Sequence, residues 1–347
     1  MSHKLCAQNN TETNNLSATT YFEMYSSFDL GGHDNQDRKS YFYNFNRDRS
    51  INLNLGFVKL SYHAEHFRAN FALMSGTYAQ YNMNTEDGLF KAIFECNAGI
   101  KLLKKQKLWL DAGIMPSHIG FESAMAKDCW ALTRSLQADN TPYFESGIKL
   151  GYTTKSEKLY LALMYLNGWQ KNKKNPNNHS PSFGTQITFS PKQTISINWS
   201  TFIGNDLPDN VNLWRYYNNI YAIIQFRKHF GITTGVDFGF QQLSKGSKNY
   251  AKVLAPIIIT RYRVNNHFQL AFRAEYYRDL NNVIIKEGGL NGFQTGGLSM
   301  NFDYLLNKQM SLRFEGRALG SKDQIFQKYT MKTSRNYFFT LSMAFNL

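Results

Sequence analysis

The feature of this sequence that most constrains its fold is an alternation of apolar and polar residues, repeated in short segments from Thr19 to the end of the chain. In the last segment, Phe339 and Leu341 fall on one face of an extended chain, and Thr340 and Ser342 fall on the other. Successive side chains of a β-strand point to opposite faces, so such a segment is predicted to be a strand with one apolar face. No stretch carries a convincing helical stripe, and the chain is therefore predicted to be all-β.

We predict a strand in each segment that carries this alternation. The strands are predicted at residues 19–29, 51–63, 67–80, 91–103, 107–115, 142–154, 157–169, 183–190, 193–203, 214–228, 231–243, 250–263, 267–277, 292–305, 309–319 and 336–347. The connections after the first strand alternate between tight, as at Lys155-Ser156, and long, as from Pro116 to Thr141. This arrangement is typical of outer-membrane proteins, and lipid admits only helices or closed barrels. The predicted fold is a transmembrane antiparallel up-and-down β-barrel of about sixteen strands, with short periplasmic turns and long extracellular loops.

Composition excludes the other main membrane and disordered classes. Charged residues make up 18% of the chain, below the roughly 25% that is usual in soluble proteins, while aromatic residues reach 15%. The longest near-unbroken apolar stretch, Val253 to Ile259, is far shorter than the ~18 residues that a spanning helix needs. A chain so rich in aromatic residues is also unlike an intrinsically disordered one.

Charge and cysteine content give no sign of nucleic acid, metal or cofactor. The net charge is +14, but the basic residues are scattered, with small clusters only in predicted turns, so no nucleic-acid partner is expected. Cys6, Cys96 and Cys129 are widely spaced and form no Cys/His cluster, so no metal site or cofactor is expected. Ser117 and His118 are adjacent and would point to opposite faces of a strand. The chain also has no GxSxG or HExxH motif, so an enzyme is not expected.

The chain is divided into a short tail and one barrel domain. Residues 1–18 have no charged region followed by an apolar core, yet Leu5-Cys6-Ala7-Gln8 looks like the end of a secretory signal. We therefore interpret 1–18 as a polar N-terminal tail or the remnant of a signal peptide, so that an intact signal peptide is absent or truncated. Residues 19–347 are predicted to form a single outer-membrane barrel.

The connection 116–141 is predicted to be a constriction loop inside this barrel. It is too long for a simple hairpin, and loops of such length are usually functional or disordered. Ile119, Phe121 and Trp130 need burial, and the barrel mouth is the nearest shelter. The alternative is a surface loop folded on itself.

Several pieces of the sequence resemble one protein family. They are LWLDAGIMPSHIGFES from Leu108, WALTRS from Trp130, NGWQ from Asn167, WSTFIGND from Trp199, EYYRD from Glu275, NGFQT from Asn291, and RFEGR from Arg313 with Ser321-Lys322-Asp323. In this order they resemble the OmpL-like β-barrel porins of Gram-negative bacteria, over roughly residues 50–347. The resemblance implies a porin-like barrel in the bacterial outer membrane, in contact with lipid and lipopolysaccharide, and leaves its solute unassigned. The chain departs from the common pattern of bacterial barrels by ending in Leu347 rather than in an aromatic residue.

The polar faces of the strands carry charges of both signs. An Arg or Lys that faced lipid near the bilayer centre would cost ~2–4 kcal/mol, whereas in a water-filled lumen it costs little and acts as an electrostatic filter. The predicted pore-lining residues are Asp111, Glu122, Lys127, Asp128, Arg134, Glu145, Lys149, Asp237, Arg273, Glu275, Arg313, Glu315 and Arg317.

The predicted function is that of an outer-membrane porin-like channel for passive diffusion of small hydrophilic solutes. The alternative is a non-conducting barrel, with its lumen closed by charge pairs, that serves as a surface receptor or as a component of a membrane assembly. A homo-oligomer or a partner membrane protein remains open as well.

Aromatic residues near strand ends are predicted to form interfacial girdles, since their rings suit the headgroup boundary. An aromatic ladder for sugars inside the pore is the alternative. The residues are Tyr21, Tyr62, Trp109, Tyr143, Tyr152, Trp169, Trp199, Tyr276 and Tyr337.

Overall fold

The structure is a computed structural model that describes residues 15–31 and 37–347. The strands are β1 (Asn15–Asp29), β2 (Ile51–His63), β3 (Phe67–Ser75), β4 (Ile93–Lys101), β5 (Lys107–Pro116), β6 (Phe144–Thr153), β7 (Leu159–Leu166), β8 (Ser182–Lys192), β9 (Ile195–Gly204), β10 (Arg215–Phe226), β11 (Phe230–Gln242), β12 (Tyr250–Arg263), β13 (Phe268–Asp279), β14 (Phe293–Leu305), β15 (Met310–Ser321), β16 (Phe326–Lys328), β17 (Met331–Thr333) and β18 (Arg335–Asn346). Two short helices, α1 (Thr77–Asn82) and α2 (Leu136–Asp139), and two 3-10 turns, Gly88–Ala92 and Ala126–Asp128, lie in the connections. Among the described residues, no helix has the length and apolar character that crossing a bilayer requires.

β1 to β15 and β18 form one closed antiparallel barrel, which confirms the predicted fold class and strand number. β1 closes the cylinder by pairing with β18, where Phe22 lies opposite Phe345 and Phe28 opposite Phe339. β16 and β17 form a separate hairpin in a long loop, which the sequence did not predict. We call the end of the barrel with the tight connections the short-turn rim and the other end the long-loop rim. In outer-membrane barrels these rims face the periplasm and the exterior, respectively.

Each predicted strand is present, and the differences lie at strand ends. The third strand was predicted to reach residue 80 but ends at Ser75. Gly76 follows with a φ of 118°, where a Cβ atom would lie 2.5 Å from the Asn54 carbonyl oxygen, and the chain turns there into α1. β1 begins at Asn15, so the last residues of the predicted tail 1–18 belong to the barrel. Residues 1–14, with Cys6 and most of that tail, lie outside the described residues.

The apolar face of the strands forms the outer surface of the barrel. In β12, Leu254 and Ile258 are exposed on this surface, while Val253 and Ile257 are buried on the inside. Such a continuous apolar outer band is what a lipid environment selects. Cys96 is exposed, whereas Cys129 is buried within the β5–β6 connection.

The girdle prediction is wrong for part of the aromatic set. Tyr21 is fully buried inside the barrel and stacks on Phe57 with ring centroids 5.7 Å apart. Trp109 lies beneath the Arg68 guanidinium, 4.3 Å from its ring centre. Tyr143 and Trp169 belong to connections and pack against interior clusters. Trp199, Tyr276 and Tyr337 are exposed on the outer face. Proximity to a strand end therefore does not reveal which face a ring occupies.

Candidate lumen and its infolded segment

The β5–β6 connection, residues 117–143, runs through the interior of the barrel, and we call it the infolded segment. Its backbone and side chains bind wall residues of several separate strands. Gly120 N donates to Asn219 Oδ1 of β10 at 3.1 Å, and Thr133 N donates to Glu315 Oε2 of β15 at 2.5 Å. The Gln137 amide donates to the Asp237 carboxylate of β11. Since these strands lie around the wall, the segment crosses the lumen rather than lying on one edge of it.

His118 fixes the start of the infolded segment to two strands. Its Nδ1 lies 2.8 Å from Glu145 Oε2 of β6, and its Nε2 lies 2.7 Å from the Thr201 carbonyl oxygen of β9. Ser200 Oγ donates to the His118 carbonyl at 2.7 Å. A carbonyl oxygen only accepts, so Nε2 carries a proton, and protonation of Nδ1 as well lets the ring donate to Glu145. Burial by itself would lower the pKa of His118, but the adjacent Glu145 carboxylate and the two hydrogen bonds raise it above its usual value.

The middle of the infolded segment is held by a buried charge network on β13 and β15. Arg273 Nη2 lies 2.6 Å from Glu315 Oε1, and Arg273 Nη1 donates to the Thr133 carbonyl at 2.6 Å. Arg317 pairs with Glu275 and also donates to the Arg134 carbonyl at 2.9 Å. The other oxygen of Glu275 accepts from Leu136 N, at the first turn of α2, at 2.7 Å. Buried charges are tolerated when they are paired and hydrogen-bonded, and here the segment's own backbone completes the pairing.

The tip of the infolded segment reaches the short-turn rim. Arg313 of β15 binds both oxygens of Asp303, at 2.9 and 3.0 Å, and donates to the carbonyl oxygens of Ala126 and Trp130 at 2.5 and 3.0 Å. Lys127 Nζ donates to the carbonyl oxygen of Lys308, in the tight β14–β15 turn, at 2.5 Å. The segment therefore extends along the depth of the barrel.

The β1–β2 connection covers the infolded segment from the long-loop rim. Phe42 and Phe45 of this connection are buried. Asn44 Nδ2 donates to Asp139 Oδ1 of α2 at 2.7 Å, and Asn140 Nδ2 donates to the Tyr41 carbonyl at 3.3 Å. Burial raises the pKa of Asp139 to about 7. The two connections thus form one packed layer over the lumen.

Apolar clusters fill the space between these connections and the wall. In one, Phe202 and Tyr217 of the wall pack with Ile119 of the infolded segment. A second cluster joins Tyr41 and Phe42 of the β1–β2 connection to Leu136 of α2. It also includes residues at the long-loop ends of β12–β15 and β18. Deeper clusters include Ala124 and Ala131 of the segment. Much of the interior is therefore closed by packed side chains.

One polar stretch of the wall, on β2–β6, stays partly open to solvent. Lys59 Nζ lies 2.5 Å from Glu95 Oε2, and Arg68 binds both oxygens of Asp111 at 2.7 and 2.6 Å. Lys149 Nζ lies 4.0 Å from Asp111 Oδ2. The side chains of Lys59, Arg68 and Lys149 are 27%, 31% and 23% exposed. We call these five residues the open wall.

The predicted pore-lining residues fall into three groups. Asp111 and Lys149 belong to the open wall. The other wall residues are buried beneath the infolded segment; these are Glu145, Asp237, Arg273, Glu275, Arg313, Glu315 and Arg317. On the segment, Asp128 is exposed, Lys127 is half-buried, and Glu122 and Arg134 turn into the segment itself. Arg134, for example, is fully buried and donates to the Ala124 carbonyl at 2.8 Å.

Sequence reasoning missed the role of His118 as an anchor and the contribution of Lys59 to the open wall. Alternation places Lys59 on the polar face of β2, which was a usable signal. No local pattern indicates that His118 meets Glu145 and Thr201. Within residues 15–31 and 37–347, no group of three or more His, Cys, Asp or Glu side chains is arranged to hold a metal ion.

The comparisons with known proteins agree with this architecture. Residues 15–347 match the family described as Putative beta-barrel porin-2, OmpL-like. A comparison with curated proteins gives no match.

Three solved structures show the likeness of fold. OmpF of Salmonella typhi in complex with daunomycin has 9% identity and a TM-score of 0.64, covering 96% of this chain and 98% of that one. An anion-selective porin from Comamonas acidovorans has 8% identity and a TM-score of 0.63, covering 96% and 100%. The trimer form of OmpT from Vibrio cholerae has 8% identity and a TM-score of 0.63, covering 97% and 100%.

Proposed function

Because this chain belongs to the OmpL-like β-barrel porin family, we propose that it forms a narrow water-filled passage for small hydrophilic solutes across the bacterial outer membrane. The observation that carries the proposal is the open wall. Its three cations retain contact with solvent, and they are paired with the two buried carboxylates Glu95 and Asp111. Charged side chains in such a position cost little when water fills the space and select among passing solutes.

In this proposal the infolded segment narrows the passage. It binds β6 and β9 through His118 and also reaches β10 and β15, so solutes pass beside it along the open wall on β2–β6. The open wall, with Asp111 and Lys149, lines the route. The charges beneath the segment, such as Arg273 and Glu315, hold it in place and do not meet the solute. Residues 19–347 then act as one barrel domain with 116–141 as its constriction.

Single-channel recording tests the proposal. The purified chain in a planar bilayer should give small, uniform conductance steps. A variant in which a short Gly/Ser linker replaces residues 120–140 should give larger steps, because the interior is then vacated. A matched control removes residues 244–248 from the β11–β12 loop, far from the infolded segment, and should leave the step size unchanged. Absence of steps from the natural chain would overturn the proposal, whatever the linker variant does.

A second candidate function is a closed barrel that acts as a surface receptor or as part of a membrane assembly. The observation that favours it is the set of apolar clusters that pack the interior between the connections and the wall. This function predicts silence from the natural chain and conductance from the linker variant. The same recordings therefore distinguish the two candidates.

Lipid, lipopolysaccharide and further copies of the chain are the proposed partners. Lys171, Lys173 and Lys174 lie in a connection at the long-loop rim, where they can meet lipopolysaccharide phosphates. The similarity to a trimeric porin suggests a homo-oligomer. Cross-linking in native outer membranes, followed by mass measurement, should give multiples of the chain mass. A single-chain mass throughout would contradict the homo-oligomer.

A further inference from the structure

A small pocket lies inside the short-turn rim, between the tip of the infolded segment and β12–β15. It is separate from the open wall, which lies on β2–β6. Four consecutive residues of the tip form one side, and inward-facing residues at the short-turn ends of the strands form the other. The lining residues are Lys127, Asp128, Cys129, Trp130, Arg261, Gln269, Asp303, Leu305, Ser311 and Arg313.

Two of the three cations in this pocket form no ion pair with a carboxylate of the described residues. Arg313 is fully engaged by Asp303 and by carbonyl oxygens of the tip. Arg261 lies 4.3 Å from the Trp130 ring centre and donates to Gln225 Oε1 at 2.8 Å, and in the described parts of the chain it forms no ion pair. Among the described residues, the hydrogen-bond acceptor of Lys127 Nζ is the Lys308 carbonyl, and the exposed Asp128 carboxylate lies next to it in the chain. The lining therefore has three cations against the two carboxylates Asp128 and Asp303, a net positive charge of one.

Ser311 supplies a buried polar atom with nothing to bind. Its side chain is 1% exposed, and its Oγ has no hydrogen-bond partner among the described residues. A buried hydroxyl usually has a partner, and one without a partner requires an explanation. Here the hydroxyl lines the same pocket as Lys127 and Arg261, so an anion bound in the pocket would give it an acceptor.

We propose that this pocket binds one small soluble oxyanion, a phosphate or a carboxylate, between Lys127, Arg261 and Ser311. Oxyanions match this set because charge-assisted hydrogen bonds from Lys and Arg are strong and a hydroxyl can donate a third bond. The Trp130 ring, already covered by Arg261, forms an apolar side that excludes bulk water. The pocket is lined by inward-facing residues of the wall, so lipid headgroups around the barrel do not reach it. Binding ties the tip of the segment to β12 and β15, whether or not the barrel conducts.

Titration of inorganic phosphate into the full chain in detergent tests this proposal. Calorimetry should show saturable binding of one phosphate per chain. Ser311→Ala leaves the charge unchanged and should weaken binding severalfold. Arg261→Gln should weaken it at least about tenfold, as expected for a lost charge-assisted hydrogen bond. Phosphate should also slow trypsin cleavage after Lys127, since the bound anion holds that side chain.

Lys308→Gln is the matched control, because it removes a cation from the same rim without altering the pocket lining. It should bind phosphate like the natural chain. If Lys308→Gln and Arg261→Gln weaken phosphate binding equally, the binding reflects general electrostatic attraction at the rim rather than a specific site, and the proposal is overturned. Absence of saturable binding by the natural chain would overturn it too. A change in gel mobility on heating identifies variants that have folded into a barrel. If Arg261→Gln fails this check, the phosphate affinity of Ser311→Ala decides the proposal.

Discussion

His118 is buried between the Glu145 carboxylate and the Thr201 carbonyl oxygen. Because this site favours the protonated ring, the anchoring of the infolded segment depends on pH. Its pKa in the folded protein is raised, so the stabilisation is fully present below its unfolded value of ~6.5 and is lost as the pH rises through the folded pKa. Glu145 and Lys149 of β6 are the charged groups that act on it. His118 therefore holds the infolded segment most firmly at acidic and neutral pH.

Trypsin accessibility of the infolded segment should report this dependence. Cleavage after Lys127 and Arg134 should become faster as the pH rises above neutrality, after correction for the protease's own pH profile on an unfolded substrate. His118→Gln keeps one hydrogen bond but cannot be protonated, and it should flatten the dependence. An identical pH profile for the two proteins would show that His118 does not control the anchoring.

Gly184 of β8 leaves room for the His118 ring, and a substitution there should be costly. A Cβ atom at Gly184 would lie 2.7 Å from the ring, a contact that requires one of them to move. Gly184→Ala should therefore lower the free energy of unfolding by ~1–3 kcal/mol, the usual cost of overpacking. Gly320→Ala is the control, since in the described part of the chain no atom beyond its sequence neighbours lies within 4 Å of its Cβ position. Urea unfolding in lipid vesicles would measure the free energy of unfolding of both variants. Equal decreases for Gly184→Ala and Gly320→Ala would contradict the close contact with His118.

At the scale of the elements, the stability of the region around α2 depends on the ionisation of Asp139, the last residue of that helix. The pKa of Asp139 is raised to about 7 because burial disfavours its charged form. A raised carboxyl pKa gives stability that is present below the unfolded value of ~3.9 and is lost as the pH rises through 7. Asp139→Asn should remove this loss, so that the variant becomes more stable than the natural chain above pH 7 and less dependent on pH between 4 and 7. Thermal unfolding followed across this range would measure it, and parallel curves would refute it.

Loss of one partner from the buried charge network of Arg273 and Glu315 should lower stability far more than loss of one partner from an exposed ion pair. Arg273→Met leaves Glu315 buried without its partner, and such a loss costs ~3–5 kcal/mol. Lys107 and Glu157 form a pair at the short-turn rim with side chains 50% and 35% exposed. Lys107→Met should change stability by less than ~1 kcal/mol, as is usual for surface pairs. Similar losses in urea unfolding would show that the Arg273 network is not shielded from water.

The elements differ in how far the sequence predicts them. The strands follow from alternation because a wall with lipid on one side forces each residue to one face, as the exposed Phe339 and the buried Thr340 show. The path of the infolded segment depends on contacts between residues far apart in sequence, such as Thr133 with Glu315. No local period encodes such contacts. The buried position of Tyr21 was missed for another reason, since Glu23, two residues on and on the same face, was a local sign that this face points inward.

At the scale of the whole molecule, the distribution of charge sets a weak selectivity. The net charge of +14 lies largely on exposed loops and turns, where salt screens it beyond about 8–10 Å. The open wall offers three cations against two carboxylates. If the chain conducts as proposed, reversal potentials under a tenfold salt gradient should show a slight anion preference that fades at high salt. Lys149→Gln should abolish the preference, and a strong cation preference would contradict the assignment of the open wall.

The pairing of β1 with β18 has a consequence for how the molecule is made. Thr20 N donates to the Leu347 carbonyl at 2.9 Å, and Leu347 N donates back to the Thr20 carbonyl at 3.0 Å, so opposite ends of the sequence meet. Contacts of such separation are slow to form, because the entropy of closing the loop is lost before the contacts stabilise it. Until β18 arrives, β1 and β15 are unpaired edges, so the barrel cannot close before its last strand is in place. The same proximity would let a linker join β1 to β18, with new chain ends opened in a tight turn elsewhere in the wall.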